Sequence, residues 1–183
     1  MKHLLYLCYS VMIAAVTCFG GDSMLVKGAT APQFELKTAD GVAVKLSDFR
    51  DKKFVVLIFY PGDETPVCTR QLCEIRDDYS SFEKRGAVVF GVNPGSDKSH
   101  NKFSRKNGFQ FPLLVDVKSS VAERYLAKGA VMNKRTVYVV GKDGTIVFAR
   151  RGKPPVAEIL AAIPENPAGD TIPSVPKLKL KTE

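Results

Sequence analysis

Two cysteines five residues apart, Cys68 and Cys73, are the residues of this sequence whose type and spacing offer redox chemistry. Thr65 and Pro66 come just before them. Proline is favoured at the first position of a helix, because its missing N–H would have no partner there, and it disfavours helical geometry in the residue before it. The segment therefore predicts a helix that begins at Pro66, with Thr65 as the N-cap whose hydroxyl accepts the amide of Cys68.

Cys68 is then the third residue of the predicted helix, where the positive end of the helix dipole favours a thiolate. A reactive thiolate of this kind is the first species on the path to a sulfenic acid. Ionisation alone does not make such a thiol react quickly with a peroxide, because a less basic thiolate is also a weaker nucleophile. Additional donors must stabilise the leaving oxygen. Thr65 and a nearby arginine are the candidates.

The spacing of the two cysteines constrains any disulfide between them. Helical residues five apart differ by about 140° in direction and by about 7.5 Å along the axis, which puts their Cα atoms roughly 8.6 Å apart. A disulfide needs a Cα separation below about 7 Å. A Cys68–Cys73 bond therefore cannot form on an intact helix, and we expect the first turns to unwind if it forms.

The cysteine pair has other interpretations besides a reactive thiol and its partner. Taken alone, a Cys-x4-Cys pair also fits a fixed disulfide in an exported binding module. A thioredoxin-like disulfide reductase typically uses the shorter Cys-x-x-Cys spacing. A metal site needs more donors than two cysteines, and the sequence has two histidines, His3 and His100. His100 is predicted to be a polar residue of a helix, and neither a metal nor another cofactor is expected.

The elements around the cysteines predict an α/β fold. Residues 54–59 are a continuous apolar run, which is typical of a central strand buried on both faces. The cysteine segment follows directly at the exit of this strand, where sites form in such sheets. One helix is predicted over 66–84. Asp40-Gly41 predicts an N-terminal β-hairpin that pairs 34–37 with 42–46.

The rest of the chain alternates between strands and helices. The additional strands are predicted at 87–92, 112–116, 135–140 and 145–149, and the additional helices at 99–107, 121–128 and 155–163. This order is expected of a thioredoxin-like fold, with a central mixed β-sheet flanked by helices.

The site residues also carry a resemblance to a known family. Pro61-x-x-x-Thr65-x-x-Cys68 is similar to the active-site signature of the peroxiredoxins, the AhpC/TSA family, and Cys73 stands where the bacterioferritin comigratory protein or PrxQ subfamily has its resolving cysteine. The similarity extends over residues 27–163. It includes Gly28-Ala-x-Ala-Pro32-x-Phe34, Asp48-Phe49, and Arg135 at the start of a predicted strand.

This resemblance implies a thiol-dependent peroxidase that reduces hydrogen peroxide and organic hydroperoxides without a cofactor. It implies that Cys68 is the peroxidatic residue and that Cys73 resolves its sulfenic acid as an intramolecular disulfide. Thr65 and Arg135 are implied to bind the peroxide, and Pro61 to shield the sulfur. All five residues are therefore candidate site residues.

Further implications concern partners and one departure from the family pattern. Gln71 stands where other peroxiredoxins commonly have glutamate, which leaves its supporting role open. Thioredoxin or a similar dithiol protein is the implied reductant. A monomer is expected, since an intramolecular disulfide needs no second subunit. The preferred peroxide stays open.

Length and composition favour one globular domain. The chain has 183 residues, of which 45% are hydrophobic and 25% charged. The net charge of +8 would suit an anionic partner, but over residues 35–151 the basic residues are interleaved with acidic ones. The sequence shows no basic stripe with stacking aromatic residues, so no nucleic-acid partner is expected.

The sequence predicts that the N-terminal segment is a targeting signal and that the C-terminal segment is flexible. Residues 1–20 have the basic start, uncharged apolar stretch and small-residue exit of a secretory signal, which predicts export to a periplasmic or other extracytoplasmic compartment. The alternatives are a lipidated Cys18 or an uncleaved anchor, each of which would tether the protein to a membrane, and an organellar location. Residues 21–26 are predicted to be a linker and 27–163 the domain. Residues 164–183, rich in proline and lysine, are predicted to be a flexible tail.

Overall fold

The computed structural model describes residues 23–165, which fold around a mixed seven-stranded sheet. The predicted signal with Cys8 and Cys18, and the predicted tail from residue 166 onward, lie outside the described residues. The strands are β1 (Glu35–Thr38), β2 (Ala43–Lys45), β3 (Phe54–Phe59), β4 (Ala87–Asn93), β5 (Leu113–Val115), β6 (Thr136–Val140) and β7 (Ile146–Arg151). Across the sheet their order is β2-β1-β5-β4-β3-β6-β7.

Strand β3, buried on both faces as its apolar run predicted, lies in the interior of the sheet next to the middle strand β4. It pairs in parallel with β4 and antiparallel with β6, so the sheet is mixed. The predicted N-terminal hairpin is confirmed, because β1 and β2 pair antiparallel with Leu36 opposite Val44. Gly41 has the left-handed φ of 81° that this turn requires. The hairpin also joins the main sheet, since β1 pairs with β5.

Five α-helices and two short 3-10 helices flank the sheet within residues 23–165. They are α1 (Pro66–Asp77), α2 (Tyr79–Lys84), α3 (Asp97–Asn107), α4 (Ser120–Arg124), α5 (Val156–Ala161), and the 3-10 helices Leu46–Phe49 and Val117–Ser119. In this part of the chain no helix combines the length and apolar character needed to cross a bilayer.

The single helix predicted over 66–84 is wrong, because the structure divides it at Asp78. There φ is −98° and ψ is 9°, outside the range that continues a helix. The local sequence Asp-Asp-Tyr-Ser-Ser contains side chains that compete with the backbone for hydrogen bonds, which weakens helix formation. Val67, in the first turn of α1, is 48% exposed although it is apolar.

The sheet separates two hydrophobic clusters, which we call the first and second core. Alternate residues of β3 enter each of them: Val55, Leu57 and Phe59 lie in the first, and Val56 and Ile58 in the second. Side chains of α4 complete the first core, and side chains of α1, α2, α3 and α5 complete the second. A strand covered on both faces is the reason for its continuous apolar sequence.

Packing begins before the predicted start of the domain at residue 27. Met24 and Leu25, which the sequence placed in a linker, are partly buried against the first core. The amide of Leu25 also donates to the hydroxyl of Tyr138 on β6 (3.2 Å). These two residues therefore belong to the folded part of the chain.

The pairing of the central strands brings three segments to one edge of the sheet. Phe59 at the end of β3 is opposite Thr136 at the start of β6, so residues 60 and 135 continue from neighbouring strands at the same edge. Phe59 is also opposite Val92 of the parallel strand β4, which places Asn93 beside them. The loop 60–65, the residues after β4 and Arg135 therefore converge.

Candidate active site

Cys68 lies at the position that the sequence predicted. Helix α1 begins at Pro66, and Thr65 has the extended backbone of an N-cap (φ −73°, ψ 141°), so Cys68 is the third helical residue. The Cys68 side chain has no exposed surface and lies in the second core with Tyr60 and Leu72. The Cys68 sulfur is therefore surrounded by the packed side chains of the second core.

The predicted role of the Thr65 hydroxyl as a cap for the Cys68 amide is wrong. Thr65 makes no side-chain capping bond, and its hydroxyl donates to the carbonyl of Gly62 at 3.3 Å. This bond orients the Thr65 hydroxyl toward the loop that precedes α1 rather than toward the amide of Cys68. Thr65 is exposed and Pro61 half-buried, and both belong to the loop that leads into α1.

Arg135 is the closest charged group to the Cys68 sulfur that the structure shows. Its Nη2 donates to the Sγ of Cys68 at 3.1 Å, and its Nη1 donates to the Oε1 of Gln71. Gln71 lies one turn after Cys68 on α1, so the fork of the guanidinium can reach both side chains. The guanidinium therefore places a positive charge within hydrogen-bonding distance of the sulfur.

Cys73 lies further along the same helix and is partly exposed. Both cysteines are free thiols, and the Sγ of Cys73 is 3.8 Å from the Oδ1 of Asn107 on α3. Helix α1 is continuous from residue 66 to 77, so it separates the two sulfurs. The structure therefore represents the reduced form.

The loop also contains a buried carboxylate that no sequence pattern indicated, Asp63, whose side chain is only 6% exposed. Its Oδ1 accepts hydrogen bonds from the hydroxyl of Tyr60 (2.8 Å) and from the Nδ2 of Asn93 (3.1 Å). Its Oδ2 accepts from the Oγ of Ser99 (2.5 Å) and lies 2.8 Å from the Nδ1 of His100. We call these five residues the Asp63 network.

Burial by itself would raise the pKa of Asp63, but its partners reverse this effect. Hydrogen bonds from His100, Ser99 and Tyr60, together with the charge of His100, lower the pKa of the carboxyl to about 2. The carboxylate is thus charged at neutral pH and acts only as an acceptor. Burial and the neighbouring Asp63 raise the pKa of Tyr60, so its hydroxyl remains a donor.

His100 lies on helix α3, as predicted, and is completely buried. We assign the donor role in this contact to its Nδ1, because the partner of that atom, 2.8 Å away, is a carboxylate oxygen, which can only accept. Its Nε2 is 3.4 Å from the carbonyl of Leu114 on β5. Asp63 and His100 are 37 residues apart, and no local pattern in the sequence indicated their contact.

Helix α3 also binds the residue after Asp63. Glu64 has a left-handed φ of 56° and accepts hydrogen bonds from Lys106 and Lys102, each at 3.2 Å, and these two lysines lower its pKa. At the far end of the helix, Nη1 of Arg76 on α1 donates to the carbonyl of Asn107 (2.7 Å). Helix α3 thus supports both the loop before Cys68 and the part of α1 beyond Cys73.

Residues 23–165 contain no group of three or more histidine, cysteine, aspartate and glutamate side chains arranged to hold a metal ion. The arrangement brings together a buried thiol at a helix start, a guanidinium directed at its sulfur and a second thiol on the same helix.

This chain is similar to known proteins in both sequence and structure. The sequence pattern of the AhpC/TSA family matches residues 27–149. Peroxiredoxin Bcp of Bacillus subtilis (strain 168) is 38% identical over 128 residues, which are 66% of this chain and 81% of the relative.

Solved structures are similar as well. The crystal structure of peroxidoxin BcpB from Mycobacterium tuberculosis has a TM-score of 0.71 and 28% identity, covering 75% of this chain and 95% of that one. A structure of the bacterioferritin comigratory protein of Xanthomonas campestris, described for its alkyl peroxide reduction activity, has a TM-score of 0.66 and 28% identity. It covers 71% of this chain and 89% of that one.

The two bonds of the Arg135 guanidinium lead to a prediction. Arg135→Lys should slow oxidation of pre-reduced Cys68 by hydrogen peroxide about a hundredfold, because an ammonium cannot keep the forked contact to both Cys68 and Gln71. The rate is measured by rapid quenching and mass spectrometry of the Cys68 peptide. The matched control is Arg150→Lys, since Arg150 is exposed and contacts Glu158. A loss no larger than that of the control would contradict this role for Arg135.

Proposed function

This chain belongs to the AhpC/TSA family, the peroxiredoxins, and we propose that it reduces hydroperoxides at Cys68 and resolves the product through Cys73. As a peroxiredoxin it is a thiol-dependent peroxidase. The observation that carries the assignment to Cys68 is the 3.1 Å hydrogen bond from Arg135 to its sulfur at the start of α1. The substrates proposed are hydrogen peroxide and organic hydroperoxides, supported by the alkyl peroxide reduction described for the Xanthomonas campestris relative.

In the first step the Cys68 thiolate attacks the terminal oxygen of the hydroperoxide. An S–O bond forms, the O–O bond breaks, and the departing oxygen takes a proton to leave as water or an alcohol. Cys68 becomes a sulfenic acid. Arg135 is oriented by Gln71 and stabilises the developing negative charge, Thr65 binds the peroxide from the loop, and Pro61 shields the sulfur.

In the second step the thiol of Cys73 attacks the sulfenic sulfur of Cys68, which forms a disulfide and releases water. The continuous helix α1 opposes this step, because residues five apart on a helix are too distant for a disulfide. Release of Cys68 also breaks its bond to Arg135. The mechanism therefore requires α1 to unwind locally in every cycle.

A dithiol reductant completes the cycle by thiol–disulfide exchange. Its first thiolate attacks the Cys68–Cys73 bond to give a mixed disulfide, and its second thiol releases the reduced protein. Two electrons and two protons are thereby returned for each peroxide reduced. Thioredoxin or a similar protein fits this requirement. Since both cysteines lie on one chain, we propose that a monomer is sufficient for catalysis.

Two cysteine variants test the proposed division of roles. Pre-reduced Cys68→Ser should consume no hydrogen peroxide, because it lacks the nucleophile. Cys73→Ser should consume one equivalent and then stall as a sulfenic acid that dimedone traps at Cys68. With thioredoxin, thioredoxin reductase and NADPH, only the wild type should turn over. Peroxide consumption and intact mass give both readouts.

The same assay separates this function from two others. A thioredoxin-like disulfide reductase would reduce a disulfide substrate without consuming peroxide. A binding module with a fixed disulfide would resist thioredoxin and consume no peroxide. Failure of both the wild type and Cys73→Ser to consume one equivalent would refute the peroxidase at Cys68.

The need for unwinding gives a second prediction. After oxidation by one equivalent of hydrogen peroxide, amide hydrogen exchange in residues 66–75 should accelerate by at least about tenfold, because the hydrogen bonds of the first helical turns are lost. Strand β3 should keep its protection. Cys73→Ser treated identically is the control, since it forms no disulfide. Unchanged exchange across residues 66–75 in the oxidised wild type would exclude this mechanism.

We also propose that residues 1–20 direct export and are then removed, so that the thiol donor must act outside the cytoplasm. The support is the basic and apolar pattern of this segment. Mass spectrometry of the protein purified from its native host should find a mature N-terminus near Gly21. An intact Met1 would contradict cleavage, and an acylated Cys18 would indicate a lipid anchor instead.

A further inference from the structure

The loop that carries Pro61 and Thr65 needs support from outside its own backbone. It lies between the end of β3 and the start of α1, and beyond the amide of Tyr60, which donates to the carbonyl of Val92 on β4 (3.2 Å), it takes part in none of the strand pairings within residues 23–165. Glu64 in this loop has a left-handed φ of 56°, a conformation that is unfavourable for a residue with a side chain. Contacts with the surrounding structure must therefore maintain the geometry of the loop.

Asp63 supplies the buried contacts. Its carboxylate accepts two hydrogen bonds on each oxygen, and the donors come from β4 (Asn93), from α3 (Ser99 and His100) and from Tyr60. All of the acceptor positions of a carboxylate are thus occupied. Bonds to a charged, buried acceptor are stronger than those between neutral groups, so they fix the loop at its centre.

His100 is held as firmly as the carboxylate that it contacts. It has no exposed surface, lies between Asp63 and the carbonyl of Leu114, and has its ring 6.5 Å from that of Tyr60. A Cβ atom at Gly95 would lie 2.7 Å from the Cε1 of His100. The backbone at residue 95 therefore passes so close to the His100 ring that any residue with a Cβ atom at this position would force neighbouring atoms to shift.

We propose that Asp63 and His100 are positioning residues for the reaction at Cys68. Neither makes a hydrogen bond to the sulfur. They act through the backbone of residues 61–65, the loop that carries the two residues proposed to shield the sulfur (Pro61) and to bind the peroxide (Thr65). This inference rests on the proposed function, because it concerns the rate of the same peroxide step.

A positioning role differs measurably from a purely structural one. Attack on a peroxide depends on oriented donors, and a displacement of about 1 Å can cost roughly a hundredfold in rate. Alkylation of Cys68 by iodoacetamide needs an accessible thiolate but no donor that stabilises a leaving oxygen. The ratio of the peroxide rate to the alkylation rate therefore reports loop geometry separately from ionisation and exposure.

The first test replaces the carboxylate by an amide of the same shape. Asp63→Asn should lower the rate of Cys68 oxidation by hydrogen peroxide at least about tenfold and change alkylation by less than about twofold. Asp116→Asn is the matched control. Asp116 is also a buried carboxylate, but it accepts hydrogen bonds from Ser120, Val121 and Ala122 at the start of α4. The Asp116→Asn variant should have a lower melting temperature than the wild type, with unchanged rates of Cys68 oxidation by peroxide and of Cys68 alkylation.

The second test uses two variants of His100 and remains informative if Asp63→Asn does not fold. His100→Asn keeps an N–H donor near the position of Nδ1, towards Asp63, whereas His100→Gln places its amide near Nε2, towards Leu114. The peroxide-to-alkylation ratio should be closer to the wild type in His100→Asn than in His100→Gln.

The outcomes distinguish this inference from the function on which it rests. If Cys68 of the wild-type protein does not react with peroxide, both the proposed function and the positioning role are refuted. A reactive wild type together with an unchanged rate ratio in Asp63→Asn, or with equal ratios in the two His100 variants, would overturn the positioning role alone. So would a parallel loss of both rates in Asp63→Asn, because it would show altered access or ionisation of the thiol.

Discussion

The pairing of β3 with β6 is the constraint on which the site depends. Phe59 at the end of β3 is opposite Thr136 at the start of β6, and the residue before Thr136 is Arg135. The chain from β3 continues through the loop 60–65 into α1, so the same edge of the sheet receives the sulfur of Cys68 and the guanidinium that bonds to it. A slip of one residue in this pairing would reverse the side to which every β6 side chain points. The buried, apolar strands therefore fix the reactive geometry, although none of their residues takes part in the chemistry.

Local patterns in the sequence were sufficient to place Cys68 at the start of a helix that follows a buried strand. Thr-Pro before a cysteine predicted the start of α1, and the apolar run 54–59 predicted the central strand in front of it. Arg135 was proposed from the family resemblance together with its position at the edge of a predicted strand, because a lone arginine is more often a surface charge. The direction of the Thr65 hydroxyl was also beyond the sequence, since Gly62 offers an acceptor as close in the chain as the helix amides. The contact between Asp63 and His100 joins a loop to a distant helix, and only the folded sheet edge brings them together.

Helix α3 connects the two ends of the reacting segment. Through His100 and Ser99 it binds the loop before Cys68, and through the carbonyl of Asn107 it binds Arg76 beyond Cys73. The helical turns between these anchors carry both cysteines. Opening of the segment is therefore bounded on each side by contacts with the same rigid element, which favours a local transition over unfolding of the whole helix.

The sheet also divides the hydrophobic packing of the protein. Consecutive residues of β3 belong alternately to the first and the second core, while Cys68 and Leu72 belong only to the second. Loss of the first turns of α1 disturbs the packing on one face and leaves the other face and the strand pairing in place. Heat or denaturant, in contrast, is expected to remove both cores in one cooperative transition. The proposed opening of α1 thus involves only part of the second core, whereas resistance to melting depends on both cores and on the strand pairing, so a protein that rearranged in this way at every cycle could still be a stable one.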